Sequence, residues 1–329
     1  MNLRLHGDVL ATASTLDFAV NVQPGPRPAA LEAALRDALA RDGYPDEREA
    51  RVAVATRHER DPDEVLLLNG ACEAFWLLAH ALRPRRAVCV QPSFTEPEAA
   101  LLAVGTSVAH VFRDPDSWAL PACEVPADVE LVVLGNPNNP TGTLDSAEVI
   151  ARLARPGRVL VVDESFSEFV PGERESLASR RDVPGLVVVR SLTKLWSLAG
   201  IRAGYLLAEP ELVRRLEANR QPWSVNALAC TALAVCAHDR ETPARVAAEV
   251  ESARARLVAQ LQPLVERVWP SEANFLLLEV DDGERIVATL LERGIAVRPC
   301  ASFPGLTSNH IRVAVRGDDD NDRLVEALA

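Results

Sequence analysis

The feature that most constrains this chain is a set of short apolar runs that do not alternate with polar residues. Leu131-Val132-Val133-Leu134, Val159-Leu160-Val161-Val162 and Leu186-Val187-Val188-Val189 are each long enough for one strand. A strand with one face in water shows a polar residue at every second position, so these runs are expected to be covered on both faces. Counting them, strands are expected at 65–69, 87–91, 107–112, 130–135, 159–163, 186–190 and 203–207, with helical patterns at 71–82, 97–104 and 146–154 among them. This alternation specifies an α/β fold with a mainly parallel seven-stranded sheet, whose functional loops leave the strand C-termini.

The flanks read differently. Residues 1–30 form a Pro-rich arm, with an extended piece at 17–21 and Pro24, Pro26 and Pro28 opposing helix before a helical pattern at 29–40. Beyond Pro222 come helical 227–237 and 243–264, strand-like 274–280, helical 283–293, strand-like 296–299 and 310–315, and a terminal helix from Asn321. Asp318–Asp320 reads as a solvated turn. The expected division is an arm over the active site (1–30), a large domain (31–225) and a small α+β domain (226–329).

Bulk properties exclude several function classes. The net charge of −12 over 329 residues opposes a general nucleic-acid or anionic-membrane partner, because both require a basic footprint. No stretch has the apolar length of a membrane span, and the N-terminus lacks a signal-peptide core, so a cytoplasmic protein is expected. The six cysteines (72, 89, 123, 230, 236 and 300) include no C-x-x-C pair, and buried thiols are expected rather than metal ligands or disulfides.

Four loops carry chemically suggestive residues. Asn69-Gly70-Ala71-Cys72-Glu73 joins a strand to a helix, and small residues there expose N–H groups that can cradle a phosphate. Gly135-Asn136-Pro137-Asn138-Asn139-Pro140-Thr141-Gly142 freezes three asparagine amides directly after a buried strand. Asp163-Glu164-Ser165-Phe166 places a carboxylate at the sheet's C-terminal edge. Arg190-Ser191-Leu192-Thr193-Lys194, with Arg202 eight positions on, sets a lysine among hydroxyls and an arginine. A lysine so placed can form an imine with an aldehyde while its neighbours hold a phosphate.

In this order and approximate spacing the four loops resemble the aspartate-aminotransferase fold family of pyridoxal-phosphate enzymes (fold type I), over nearly the whole chain. The resemblance implies pyridoxal 5′-phosphate as cofactor. It implies Lys194 as the lysine bound to the cofactor aldehyde and Asp163 as partner of the ring nitrogen, these two being the catalytic pair. It further implies Asn139 as donor to the ring oxygen and Phe94 as the aromatic on the ring face. Gly70, Ala71, Cys72, Ser191 and Arg202 would form the phosphate cup. Tyr44, in Gly43-Tyr44-Pro45-Asp46, would reach the phosphate held by a neighbouring subunit, which implies a homodimer with shared active sites.

Within that family the pattern is similar to histidinol-phosphate aminotransferases, except that Phe166 stands where they carry Tyr. The N-terminal His6-Gly7 and Asp17-Phe18-Ala19-Val20-Asn21, together with the segments 294–300 and 310–316, resemble threonine-phosphate decarboxylases of cobalamin biosynthesis. Asp8 stands where those have a second glycine, and Val22-Gln23 where they tend to have Ile-Asn. That resemblance implies a small phosphorylated amino acid as substrate, with Arg312 and Asn21 on its carboxylate and His6 and Arg298 helping to hold it. Decarboxylation of L-threonine O-3-phosphate is therefore the expected activity. An aminotransferase of histidinol-phosphate type is the alternative, and a non-catalytic cofactor-binding regulator the distant one.

Overall fold

The computed structural model describes residues 3, 9–10, 15–122 and 125–329, so His6 and Asp8 lie outside the described residues. After a two-residue strand β1 (Leu16–Asp17), seven strands form the main sheet: β2 (Val65–Leu68), β3 (Arg86–Gln91), β4 (Ser107–Phe112), β5 (Leu131–Gly135), β6 (Val159–Asp163), β7 (Leu186–Ser191) and β8 (Gly204–Leu207). Their spatial order is β2-β8-β7-β6-β5-β3-β4. The pairs from β7 through to β4 are parallel, and only β8 runs antiparallel to both of its neighbours. Each strand lies within one residue of its expected bounds at either end.

The reason for the unbroken apolar runs is visible in how the strands divide their side chains. Leu186 and Val188 join one buried cluster with Val65, Leu67, Leu160 and Val162. Val187 and Val189 turn the other way, into a second cluster with Leu66, Leu68 and Val161. Successive residues point to opposite faces, and each face is covered, so every position had to be apolar.

Polar residues at the C-terminal end of β7 are buried too, and they are paired. The Arg190 side chain forms ion pairs with Glu164, at 3.1 Å, and with Glu173. Arg57 meets Glu168 at 3.1 Å and Glu173 at 3.4 Å, while Trp196 Nε1 donates to Glu168 at 3.0 Å. This network ties the segment after β6, which follows Asp163, to the segments flanking Lys194. Arg190→Met would leave Glu164 and Glu173 without their main counter-charge. A loss on the order of 3–5 kcal/mol is expected, read as a lower urea midpoint at unchanged slope.

A second, antiparallel sheet has the order β12-β13-β10-β9. It is built from β9 (Arg267–Val268), β10 (Phe275–Glu279), β12 (Arg298–Pro299) and β13 (His310–Ala314), with β11 (Ile295–Ala296) leading into it. The expected strand 296–299 is thus two strands. Ile295 and Ala296 pair in parallel with Leu16 and Asp17, whereas Arg298 and Pro299 pair with Arg312 and Ile311. The N-terminal segment supplies a partner for β11 that no local pattern in 290–300 could reveal. Asp318–Asp320 is also not a turn: it is the first turn of the terminal helix Asp318–Leu328. Carboxylates at a helix N-terminus are favoured by its unpaired N–H groups. Two helices, Arg48–Arg57 and Pro210–Glu217, have no counterpart in the sequence reading.

Among the described residues, no helix is long and apolar enough to cross a membrane, and no group of His, Cys, Asp and Glu could hold a metal. The described cysteines are free, and Cys89, Cys230, Cys236 and Cys300 are buried.

Candidate active site

The chain leaves β7 at Ser191 and returns as β8 at Gly204, and Lys194 lies in the connection between them. The connection is closed by Leu192 N–H to Ala203 O at 3.1 Å, and it contains Ser197 and Arg202 in the left-handed region. The N-terminal segment lies across it: Gln23 N–H donates to Lys194 O at 2.9 Å, and Arg27 donates to Ser197 O. The lysine loop is therefore held from both sides.

Lys194 opens into a cavity of about 490 Å³. Asn21, Cys72, Phe94, Asn139, Arg202, Arg298 and Arg312 line it too, bringing together residues from both sheets and the N-terminal segment. Four cations against the single carboxylate of Glu96 make this cavity locally basic on a chain of net charge −12. Removal from bulk water, reinforced by Arg312, lowers the Lys194 pKa to about 8, against the opposing pull of Asp163. Among the described residues, Lys194 Nζ has no hydrogen-bond acceptor. An amine so placed is free to react.

Asp163 ends β6 and lines an adjoining cavity with Phe94, Asn139 and Phe166. Burial raises its pKa, while bonds from Ser165 N–H and Oγ to its Oδ1 and the charge of Lys194 oppose that rise. Both Ser165 bonds go to one oxygen, so the other is left for a further donor. Asn139 is oriented by its far end: Arg312 Nη1 donates to Asn139 Oδ1, leaving the Nδ2 donor of the amide to a ligand. Asn139 thus has a supporting partner in Arg312.

Gly70, at the end of β2, has φ +91°, and a Cβ there would overlap the Arg202 guanidinium. Only glycine lets Arg202 lie against the turn that opens helix Cys72–Leu82. Ala71 contacts Gly204 so closely that a Cβ on Gly204 would stand 2.6 Å from the Ala71 nitrogen. Arg202 has one hydrogen bond among the described residues, Nη1 to Ala199 O at 3.2 Å. A helix N-terminus beside a guanidinium with spare donors suits a phosphate.

Arg312 Nη2 donates to Ala19 O at 2.7 Å, and Asn21, buried at the cavity wall, has an Oδ1 with no hydrogen-bond partner among the described residues. Ser191 and Tyr44 do not line this cavity. Ser191 accepts from Thr193 N–H at 3.2 Å and faces a smaller buried space beside Arg190. Tyr44 is exposed and stacks on Trp223, with ring centroids 4.4 Å apart.

Four residues were missed in the sequence. Thr95, Glu96 and Phe303 also line the cavity. Glu96 Oε2 accepts from Trp76 Nε1 at 3.0 Å. Arg316 donates to the carbonyls of Asp17, Val20 and Val22, and so holds the segment that carries Asn21. Arg316 sits in the quoted 310–316 segment, but only its fold contacts distinguish it from a surface arginine.

A reactive amine, a half-buried carboxylate, an oriented amide and a phosphate cradle at the C-terminal ends of parallel strands define the class: a pyridoxal-phosphate enzyme of fold type I. These residues fit the group. The Aminotransferase class I and II family matches residues 13–328, and the chain belongs to it. It is 45% identical over 321 residues to a histidinol-phosphate aminotransferase of Mycobacterium tuberculosis, covering 95% of this chain and 87% of that protein. It is 33% identical over 343 residues to a threonine-phosphate decarboxylase of Salmonella typhimurium, covering 99% and 94%. Among solved structures, the histidinol-phosphate aminotransferase of Clostridium acetobutylicum superposes with a TM-score of 0.88 at 26% identity, covering 95% of this chain and 98% of that one.

Proposed function

We propose that this chain decarboxylates L-threonine O-3-phosphate to (R)-1-amino-2-propanol O-2-phosphate, acting as a homodimer. The observation that carries the reading is the placement of two arginines. Arg298 and Arg312 are direct register partners on β12 and β13, both are buried, and both line the cavity that holds Lys194. Two guanidiniums on one side of the reactive amine suit a substrate that carries a carboxylate and a phosphate at once.

In this reading Asp163 faces the ring nitrogen of the cofactor, Asn139 its ring oxygen and Phe94 its face. Gly70, Ala71, Cys72 and Arg202 surround its phosphate, with Tyr44 contributed by a second copy. Pyridoxal phosphate, when bound, supplies an electron sink for the substrate's α-carbon. The residues of the chain do the rest. Arg312 and Asn21 orient the carboxylate, and Arg298, with His6 from the arm formed by residues 1–30, holds the phosphate. The bond from the α-carbon to the carboxylate breaks, carbon dioxide leaves, and Lys194 Nζ delivers a proton to the same carbon.

A second reading, amino transfer from histidinol phosphate, is supported by the 45% identical relative that bears that name. The two separate cleanly. The holoenzyme given threonine phosphate alone is expected to release carbon dioxide without an amino acceptor. Stoichiometric glutamate from histidinol phosphate and 2-oxoglutarate, with no carbon dioxide from threonine phosphate, would replace the first reading by the second.

A further inference from the structure

We propose that Phe303 sets the length of substrate this site accepts, by fixing Arg298 in place and walling off the space behind it. The inference rests on the reading above, in which Arg298 holds the phosphate of the substrate.

Phe303 is 3% exposed and lines the cavity together with Lys194, Arg298 and Arg312. The Arg298 guanidinium lies over its ring, 5.2 Å from the centroid, and Nη2 of Arg298 donates to Ser302 Oγ at 2.8 Å. Consecutive residues of one turn therefore hold the guanidinium by its face and by its edge.

The turn itself has little freedom. Cys300 N–H bonds to His310 O at 2.9 Å, Phe303 N–H to Cys300 O at 3.0 Å, and Leu306 N–H to Phe303 O at 3.1 Å. Phe303 also belongs to a buried cluster with Trp118, Trp269, Leu277, Cys300 and Leu306. Phe303 cannot withdraw from the cavity without unpacking that cluster, the two tryptophans included.

A guanidinium that cannot move measures distance. On this proposal an amine whose phosphate sits on the neighbouring carbon reaches from Lys194 to Arg298, two residues that line the same cavity. One with an aromatic spacer would carry its phosphate past Arg298, toward the Phe303 ring that lies against the guanidinium. The substrate class is thus short amines or amino acids phosphorylated at the β-carbon.

Phosphoethanolamine and tyramine phosphate test this directly. Both carry an amine and a phosphate, and neither has a carboxylate to lose. Calorimetric titration of the wild-type holoenzyme is expected to favour phosphoethanolamine by roughly tenfold or more. Phe303→Leu, which keeps an apolar side chain in the cluster, is expected to shift that ratio toward tyramine phosphate by about tenfold. Phe303→Ala should shift it further, and Phe303→Tyr should not. If Phe303→Ala does not fold, Phe303→Leu decides alone. Equal binding of the two ligands by wild type, or an unchanged ratio in Phe303→Leu, overturns the proposal. Failure to release carbon dioxide from threonine phosphate would overturn the decarboxylase reading while a shifted ratio leaves this one standing.

Discussion

Lys194→Met is expected to lower kcat by about 10⁴-fold or more, since under the proposed function it removes both the reactive amine and the proton donor. Borohydride should fix cofactor to residue 194 in the wild type, by peptide mass, and to no residue in the variant. The same substitution has an opposite effect on the cofactor-free protein. The folded-state pKa of Lys194 is lowered from 10.5 to about 8, so the folded protein binds its proton more weakly than the unfolded chain. Below pH 8 the half-buried ammonium destabilises the fold, by on the order of 3 kcal/mol. That penalty fades as pH rises from about 8 toward 10.5 and the amine is neutral in the folded state over this window. Cofactor-free Lys194→Met should therefore be more stable than wild type at pH 7, with the difference shrinking above pH 8. A constant difference across that window would mean that Lys194 is not desolvated as described.

Asp163→Asn is expected to lower kcat by roughly 10²–10³-fold, the usual loss on removing one oriented charge from a catalytic site. The amide is isosteric and can still accept the bonds from Ser165, so the loop should hold its shape. The charge of Asp163 raises the pKa of Lys194. Without it, Lys194 in the cofactor-free protein should titrate below about 8, which can be followed by the pH dependence of its chemical modification. Unchanged turnover together with an unchanged lysine titration would remove Asp163 from the site.

Most of the main sheet was legible because its signal is local. An apolar run of four or five residues covered on both faces has to be apolar throughout, and Leu131–Gly135, Val159–Asp163 and Leu186–Ser191 were found for that reason. Arg48–Arg57 was not: its apolar positions are mostly alanines among arginines and glutamate, a weak amphipathic pattern whose burial comes from contact with other helices. The split of 296–299 was invisible for a related reason, since the partner of β11 lies nearly 280 residues earlier in the chain, as the register Leu16 with Ile295 shows (295 − 16 = 279). Arg298 and Arg312 were found as a pair, but that they stand opposite each other is a fact of strand register.

The sequence alone determined the class of chemistry: a lysine, an acid, an amide-rich loop and a small-residue turn, each directly after an apolar run that can only be a covered strand. Strand ends place those residues at one edge, because the run and its loop are neighbours in the chain. What the tertiary structure decided is the shape and support of the cavity. Arg312 orienting Asn139, Arg316 pinning the segment of Asn21, and Phe303 standing beneath Arg298 join residues that are distant in sequence or separated by turns. Such contacts depend on how two sheets and an N-terminal segment meet, and no local pattern of apolar and polar residues encodes that meeting.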